Sequence, residues 1–222
     1  MTNTLDSAPV APLLAGLFAD AQRSTSLIGQ VFGSLSAAER AKRMSDPDAD
    51  YRALYGRAKD IHMPVSADTG RLLYLLARGN GARAIVEYGT SFGISTLHLA
   101  AALRDNGGGT LLGTELEPTK LAHARANLER AGLADLVQIR EGDALETLAE
   151  NLPSPIDLVL LDGHKALYAK ILALVAPRLR SGAFIVADNA DACPDYKAQV
   201  RAPGSGYLSV AFGDDVELTV KL

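Results

Sequence analysis

The chain has 222 residues, of which 48% are hydrophobic and 22% charged, values typical of one soluble globular domain with a sizeable core. Its formal net charge of −4 argues against a nucleic acid held by bulk electrostatics. The one cysteine, Cys193, excludes an intramolecular disulfide and a cysteine zinc cluster. The start of the chain lacks the basic leader of a signal peptide, and no apolar run reaches membrane-spanning length. We therefore expect a cytoplasmic protein that binds neither nucleic acid nor membrane.

The first 60 residues are predicted to be helical and free of strands. Apolar residues recur at helical spacing over residues 12–35, with a break near residues 24–26, where the sequence reads Ser-Thr-Ser. Ser36-Ala37-Ala38-Glu39 has the spacing of a capping box that opens another helix. Residues 48–58 are predicted to form one more short helix.

From residue 67 onward, predicted helices and strands alternate. Residues 67–77 are predicted to form a helix that buries Leu72, Leu73, Leu75 and Leu76. Strands are predicted at residues 85–88, 110–115, 136–140, 156–161 and 183–187, with helices at 118–131 and 166–179 among the connections. Near-continuous apolar strands that alternate with helices indicate a parallel sheet covered on both faces.

The end of the chain follows a different pattern. Residues 207–212 and 216–222 read as two strands joined by a short turn, which predicts a terminal antiparallel hairpin. We expect one compact α/β domain. In it, residues 1–62 form a helical cap packed on a core of residues 63–222.

The stretch from residue 85 to residue 100 is the centre of the predicted site. It reads as a strand, a turn, Gly89-Thr90-Ser91-Phe92-Gly93, and an apolar helix. The glycines allow a ligand to approach the backbone, and the first amides of the helix offer free donors. The turn lacks the middle glycine of G-x-G-x-x-G, which a pyrophosphate needs. This disfavours a nicotinamide or flavin dinucleotide and suits a nucleoside without a pyrophosphate, such as S-adenosylmethionine.

Polar residues follow each of the five predicted parallel strands. They are Glu87, Glu115, Gly142-Asp143-Ala144, Asp162, and Asp188 with Asn189. Because parallel strands finish on the same edge of a sheet, we expect a ligand site there. Glu115 follows Gly89 at about the separation, roughly 20 residues, at which an acid accepts hydrogen bonds from ribose hydroxyls.

Asp162, Asp188 and Asn189 supply hard oxygen ligands from two neighbouring strand ends, which suits Mg²⁺. Acids at strand ends also serve as caps or salt-bridge partners, and both interpretations stay open at this point. Lys165 follows Asp162 closely, and a desolvated lysine beside a dication can act as a general base. Most such lysines are only solvated charges. His164 is interpreted as a packing or orienting group.

Taken together, these ordered motifs resemble those of the class I S-adenosylmethionine-dependent O-methyltransferases, over about residues 60–200. The resemblance is to the catechol O-methyltransferase-like, divalent-metal-dependent group. It implies a Rossmann-like fold with a seven-stranded, mostly parallel sheet, helices on both faces and a C-terminal antiparallel hairpin. It also implies S-adenosylmethionine as the cofactor, together with Mg²⁺ or another divalent cation such as Mn²⁺ or Ca²⁺.

The resemblance assigns roles to individual residues. Those matched to cofactor-binding positions are Met63, Val65, Glu87, Gly89, Thr90, Ser91, Gly93, Ser95, Glu115, Gly142, Asp143, Ala144 and Asp162. The matched metal ligands are Asp162, Asp188 and Asn189. The matched catalytic residues are Asp162 and Lys165, with Lys165 as the base.

The sequence also departs from the family pattern. Gly163 and His164 stand where the family has a histidine and a tryptophan, and residues 204–212 offer no counterpart of the late glutamate that contacts the second catechol hydroxyl. The expected reaction is methyl transfer to a hydroxyl of a small phenolic or vicinal-diol acceptor by a homodimeric enzyme.

Two alternatives remain. One is a dinucleotide-binding oxidoreductase, against which the missing middle glycine counts. The other is a non-catalytic protein that retains the fold, against which the converging carboxylates count.

Overall fold

The computed structural model describes residues 3–27, 31, 33, 35–36, 38–39, 42, 45–46, 50–213 and 215–222. The strands in these residues are β1 (Ala84–Tyr88), β2 (Thr110–Glu115), β3 (Val137–Glu141), β4 (Ile156–Leu161), β5 (Leu179–Ala187), β6 (Tyr207–Phe212) and β7 (Val216–Lys221). They form one sheet in the order β3-β2-β1-β4-β5-β7-β6. The first five strands are parallel, and β7 is antiparallel to both β5 and β6. The predicted mostly parallel sheet with a C-terminal hairpin is confirmed.

The helices in the same residues are α1 (Val10–Ser24), α2 (Tyr51–Arg57), α3 (Ala67–Gly79), α4 (Ile94–Asp105), α5 (Pro118–Ala131), α6 (Ala144–Thr147), α7 (Tyr168–Val175) and α8 (Pro194–Arg201). Side-chain caps explain where two of them begin. Ser66 accepts a hydrogen bond from the Thr69 amide at 3.0 Å before α3, and Glu117 accepts one from the Lys120 amide at 2.9 Å before α5. At its other end α5 stops at Gly132, which has φ 66°.

The N-terminal part of the chain agrees with the prediction wherever it is described. A 3-10 turn, Thr25–Leu27, follows α1, so the expected break near residues 24–26 is present. The rest of the helical pattern over residues 12–35 lies partly outside the described residues. Ser36 and Glu39 form a capping box, in which the Ser36 amide donates to Glu39 Oε2 at 2.7 Å and the Glu39 amide donates to Ser36 Oγ at 3.2 Å.

The connection between β4 and β5 differs from the prediction of one helix over residues 166–179. It contains α7 and then a 3-10 turn, Ala176–Arg178, because Pro177 has no amide hydrogen with which to continue the helix. Strand β5 begins at Leu179 rather than at residue 183. Gly182, at φ 77°, lies within it, and the register between β4 and β5 shifts there. Such an irregularity hides the start of a strand in the sequence.

The leucines of α3 do not all face the core, as the sequence analysis expected. Leu73 is completely buried, Leu72 and Leu76 are half-buried, and Leu75 is 64% exposed. Successive residues of a helix are about 100° apart, so a run of adjacent leucines cannot share one face.

Two apolar layers cover the two faces of the sheet. Ile85 of β1 belongs to a cluster that includes Leu97 of α4 and residues of α1, α3 and α5. Val86, the next residue, belongs to a second cluster that includes Leu172 of α7 and residues of α8. This is the alternation expected of a strand buried on both faces. Across the described ranges, no helix combines the length and the apolar character needed to cross a membrane.

Candidate functional site

A crevice opens at the carboxyl ends of β1 and β4, which are neighbours in the sheet although β2 and β3 lie between them in the sequence. In an open α/β sheet, ligands bind where the strand order reverses in this way. Gly89, at φ 97°, lets the two strand ends approach each other, since a Cβ there would overlap the carbonyl of Asp162. The crevice leads into a cleft with about 870 Å³ of empty space, part of which is open solvent.

Most of the predicted site residues meet in this cleft. Those that line it are Met63, Gly89, Ser91, Glu115, Gly142, Asp143, Ala144, Asp162, Lys165, Asp188 and Asn189. A smaller cavity adjoins it, shares Ser91 with it, and is lined in addition by Val65, Thr90 and Ser95. Glu87 and Gly93 lie outside the lining of both cavities. Gly93 is the residue before α4 and has φ 86°, a conformation that favours glycine.

Glu87 supports the turn from below. It is completely buried, and its carboxylate accepts hydrogen bonds from three hydroxyls, those of Thr90 at 2.9 Å, Ser95 at 2.7 Å and Thr96 at 2.6 Å. Burial raises the pKa of Glu87 to about 7, although the three hydroxyl hydrogen bonds oppose the shift. The acid thus joins the turn to the first residues of α4.

Glu115 is held by the backbone of the same turn. The Ser91 amide donates to Glu115 Oε2 at 2.7 Å, and the Glu117 amide donates to Oε1 at 2.8 Å. Ser91 has φ 49°, a left-handed conformation that is uncommon for a serine. Burial raises the pKa of Glu115, and the backbone hydrogen bonds partly offset that shift. Each carboxylate oxygen keeps a second lone pair with which to accept a hydrogen bond from a ligand.

Asp143 makes contacts that the sequence did not reveal. Its Oδ2 accepts hydrogen bonds from the Tyr51 hydroxyl and from Arg52 Nη2 of α2, and its Oδ1 accepts one from the Leu145 amide at 2.9 Å. Burial would raise the pKa of Asp143, but these hydrogen bonds outweigh it and lower the pKa. One acid therefore lines the cleft and fastens α2 to the core.

Gly163, one of the two departures from the family pattern, is explained by Tyr88, which also contacts the backbone of the other, His164. A Cβ on Gly163 would overlap the ring of Tyr88, so this ring occupies the space that a larger side chain would need. The His164 amide donates to the Tyr88 hydroxyl at 2.9 Å. The ring of His164 is buried and stacks on Tyr51 with 5.1 Å between ring centroids, in agreement with the predicted packing role.

Lys165 connects the carboxyl ends of β4 and β5. Its Nζ lies 3.2 Å from Asp162 Oδ1 and donates to the hydroxyl of Tyr168 at 2.8 Å. That hydroxyl donates in turn to the backbone carbonyl of Asp188, also at 2.8 Å. The lysine is only 5% exposed, so it is not the solvated charge that most lysines are.

The two aspartates of this group carry more charge than one lysine can balance. Burial raises the pKa of Asp162, and both burial and the charge of Asp162 raise that of Asp188. Asn189, at φ 50°, donates from Nδ2 to Asp215 Oδ2 at 3.1 Å. Within the described residues, no three His, Cys, Asp or Glu side chains are grouped as a metal site. The ligand set expected from the sequence, Asp162, Asp188 and Asn189, has only two carboxylates.

Lys120 was missed by the sequence analysis. It lines the cleft, is 2% exposed, and has a pKa that burial lowers although Glu115 and Glu117 oppose the shift. The sequence did contain a signal for it. Lys120 lies on the same stripe of α5 as the buried Ala124 and Ala131, where an amphipathic helix ordinarily places apolar residues.

Comparison with known proteins agrees with this geometry. A family described as "Methyltransferase domain" matches residues 86–190, the segment from β1 to the end of β5 and the turn after it. A catechol O-methyltransferase of Niastella koreensis is 40% identical over 128 residues, which are 56% of this chain and 57% of that protein. The chain thus spans little more than half the length of this relative. A Mycolicibacterium smegmatis protein, named as an O-methyltransferase, is 34% identical over 152 residues. These residues are 68% of this chain and 71% of that protein.

Solved structures extend the likeness to nearly the whole chain. The cofactor-bound protein Rv0187 from MTB superimposes with a TM-score of 0.69 and 27% identity, over 98% of this chain and 94% of that one. The O-methyltransferase TomG from Streptomyces achromogenes, solved in complex with S-adenosylmethionine, gives a TM-score of 0.64 and 25% identity, over 91% and 98%. The sheet order, the cleft at its switch point and these relatives together confirm the resemblance. The chain belongs to the class I S-adenosylmethionine-dependent O-methyltransferases.

Proposed function

We propose that this protein transfers the methyl group of S-adenosylmethionine to a hydroxyl of a small phenolic or vicinal-diol acceptor, assisted by a divalent cation. The observation that carries the proposal is the meeting of two groups in one cleft. One is Glu115, held by the amides of Ser91 and Glu117. The other is Lys165, which contacts the Asp162 carboxylate and the backbone carbonyl of Asp188. The first group suits a nucleoside, and the second suits the activation of a hydroxyl.

The cofactor half of the proposal rests on lone pairs that face the cleft. Glu115 is placed to accept hydrogen bonds from the two ribose hydroxyls, because its own donors occupy only one lone pair of each oxygen. Gly142 and Ala144 border the same space, and we assign them to the adenine side. Met63, Val65 and Ser95 border the space around the turn, which we assign to the methionine part of the cofactor.

The donor set fits a divalent cation. Asp162 and Asp188 are close enough for the charge of one to raise the pKa of the other, and hard oxygens that repel one another in this way are a favourable site for a dication. The amide of Asn189 uses its nitrogen on Asp215, which leaves its oxygen available as a ligand. A dication bound by these three residues would lower the pKa of the acceptor hydroxyl and orient it.

The chemical step is an in-line displacement. The acceptor oxygen attacks the methyl carbon, the new O–C bond forms as the S–C bond breaks, and S-adenosylhomocysteine leaves. We assign the hydroxyl proton to Nζ of Lys165, which Tyr168 and the Asp162 carboxylate hold at the end of β4. Orientation of two bound reactants can contribute roughly 7–11 kcal/mol, so positioning accounts for much of the expected rate.

Aromatic side chains favour a ring-shaped acceptor. Tyr51 and Tyr55 of α2, together with His164, line the cleft, and their rings pack against one another. Leu167 adds an apolar contact. Such a wall binds a planar ring through buried apolar area and ring stacking, while the polar residues at Asp162 bind the hydroxyls of the acceptor. We propose on this basis that residues 1–62 form a cap whose α2 segment shapes the acceptor pocket.

The test is a methyl-transfer assay with S-adenosylmethionine and a panel of phenols, vicinal diols and amines. We expect S-adenosylhomocysteine to form with hydroxyl acceptors in the presence of Mg²⁺ and the rate to fall on chelation. Calorimetric titrations with S-adenosylhomocysteine and with NAD supply the matched binding measurement. Binding of NAD alone would favour an oxidoreductase. Binding of S-adenosylhomocysteine without turnover of any acceptor would favour a non-catalytic protein.

A further inference from the structure

Three polar side chains surround the ring of Phe92 in the glycine turn. The ring of His62 stacks on Phe92 with 3.7 Å between centroids, and Nζ of Lys120 lies 5.7 Å from the centroid of the same ring. Ser91 directly precedes Phe92 and lines both cavities. His62 and Lys120 thus both lie against Phe92, the residue that follows Ser91.

Atoms of all three side chains lack a partner within the described part of the chain. Ser91 Oγ and His62 Nδ1 are buried and make no hydrogen bond. Lys120 Nζ forms neither a hydrogen bond nor an ion pair there, although the side chain is 2% exposed. Buried polar atoms are normally satisfied, and an unpaired buried ammonium is especially unfavourable. Donors left unpaired at and next to Phe92 point to an acceptor that belongs to a ligand.

The charges around the cleft favour an anion as this acceptor. Four acidic side chains belong to the lining, those of Glu115, Asp143, Asp162 and Asp188. Among the described lysines and arginines, two line the cavities, Lys120 and Lys165. Lys165 is already bound to Asp162 and Tyr168. An anionic group on a ligand is therefore attracted to Lys120.

We propose that Lys120, together with Ser91 and His62, binds the α-carboxylate of S-adenosylmethionine and is a positioning residue for the cofactor. The inference rests on the proposed function, because the cofactor has one carboxylate, at the end of its methionine part. The adjoining cavity at Ser91 is the space that we assign to that part. Lys120 lines the main cleft, and its Nζ lies over the ring of Phe92, which lines the adjoining cavity. A carboxylate between the two gives the ammonium the acceptor that it lacks, and the ammonium gives the carboxylate a counter-charge.

The test compares two ligands that differ only in the carboxylate. These are S-adenosylhomocysteine and its decarboxylated analogue, each titrated by calorimetry into the wild type and into Lys120→Met. Methionine keeps most of the side-chain volume without the charge. We expect Lys120→Met to lower the affinity for S-adenosylhomocysteine about 10- to 100-fold, the range for a hydrogen bond to a charged group. The affinity for the analogue should stay within about twofold of the wild-type value. Ser91→Ala is expected to lower the affinity for S-adenosylhomocysteine, and not that for the analogue, about 3- to 10-fold.

Lys170→Met, at an exposed lysine of α7, is the matched control and should change neither affinity. Equal losses for both ligands in Lys120→Met would overturn the inference, since they would mean that Lys120 serves the adenosine half or the fold. Unchanged binding of S-adenosylhomocysteine would overturn it too. Failure of the wild type to bind either ligand would instead contradict the proposed function. The melting temperature of Lys120→Met should equal or exceed that of the wild type, because a buried unpaired charge is removed.

Discussion

The acids of the two halves of the cleft are held in different ways. Glu87 and Glu115 receive their hydrogen bonds from neutral donors, three hydroxyls in one case and two backbone amides in the other. Asp162 is paired with Lys165, and Asp188 lies in the electrostatic field of both Asp162 and Lys165. Both halves are buried, so the difference lies in the charge and not in the solvent exposure.

This difference separates two kinds of chemistry. Neutral donors fix a carboxylate in place and leave its charge available to hydroxyl or ammonium groups of a ligand. A pair of carboxylates with a single lysine retains excess negative charge, which favours a dication and, once that cation is bound, a nearby proton acceptor. Substitutions in the half that contains Glu115 should therefore change binding of the cofactor. Substitutions in the half that contains Asp162 and Asp188 should change turnover.

The largest expected effect is that of Asp188→Asn on turnover. The change removes a carboxylate but keeps the size of the side chain, and we expect kcat to fall about 10²- to 10³-fold, the usual loss when one charge-stabilising group is removed. Affinity for S-adenosylhomocysteine should stay within about twofold of the wild type. Thermal stability without ligand should rise, because Asp162 loses a like-charged neighbour.

Asp191→Asn is the control for this variant, since Asp191 is an exposed acid of the same loop. It should behave as the wild type in all three measurements. A wild-type kcat for Asp188→Asn in the presence of Mg²⁺ would contradict the division between the two halves, as would a large loss of cofactor affinity.

A second, smaller effect concerns the pH dependence of stability through Glu87. Its folded-state pKa of about 7 lies above the ordinary value of 4.5, so the folded protein favours the neutral acid. The stability that this group contributes is complete below pH 4.5 and is lost as the pH rises towards 7. Glu87→Gln should therefore gain about 3 kcal/mol relative to the wild type between pH 4.5 and pH 8. Urea unfolding across this range measures the difference, and a difference independent of pH would contradict the assignment.

The sequence predicted the parts of the fold that rest on simple patterns. Strand β4 and helix α5 were predicted with their observed bounds, because a buried apolar run and a Pro-to-Gly helix are unambiguous signals. Helix α8 was not predicted. Its buried residues, Tyr196 and Val200, are only one turn apart and are too few to establish a period. The early start of β5 was hidden by Gly182.

The site was predictable as far as topology determines it. The acids at the strand ends meet because parallel strands finish at one edge, which needs no knowledge of side-chain conformation. The contact of Tyr51 with Asp143 joins residues 92 apart in the chain, and no local pattern implies it. Lys120 appeared to be an ordinary helix lysine, since its burial depends on how Phe92 and the turn pack against α5.

A third effect is expected at the cofactor end of the comparison. Glu115→Gln replaces an acceptor of ribose hydroxyls by a group with one acceptor and a competing donor, and we expect binding of S-adenosylhomocysteine to weaken by about 1–3 kcal/mol. Glu141 pairs with Glu115 across β2 and β3 but is exposed, so Glu141→Gln is a matched control that should leave the affinity unchanged. If the two variants bound S-adenosylhomocysteine with equal affinity, Glu115 would not be the acceptor of the ribose hydroxyls.

The smallest expected effect tests the attachment of the N-terminal segment. Tyr51→Phe deletes the hydroxyl that donates to Asp143, while Arg52 and the Leu145 amide still donate to that carboxylate. One lost hydrogen bond with its acceptor still satisfied should lower the free energy of unfolding by about 1 kcal/mol. Tyr55→Phe, one turn later in α2, is the control, since the Tyr55 hydroxyl makes no hydrogen bond within the described residues. If α2 shapes the acceptor pocket through this contact, Tyr51→Phe should also raise the KM for a phenolic acceptor and leave the affinity for S-adenosylhomocysteine as it was. If neither the free energy of unfolding nor the KM changes, α2 is positioned by the packing of Tyr51 on His164 and not by its hydrogen bond to Asp143.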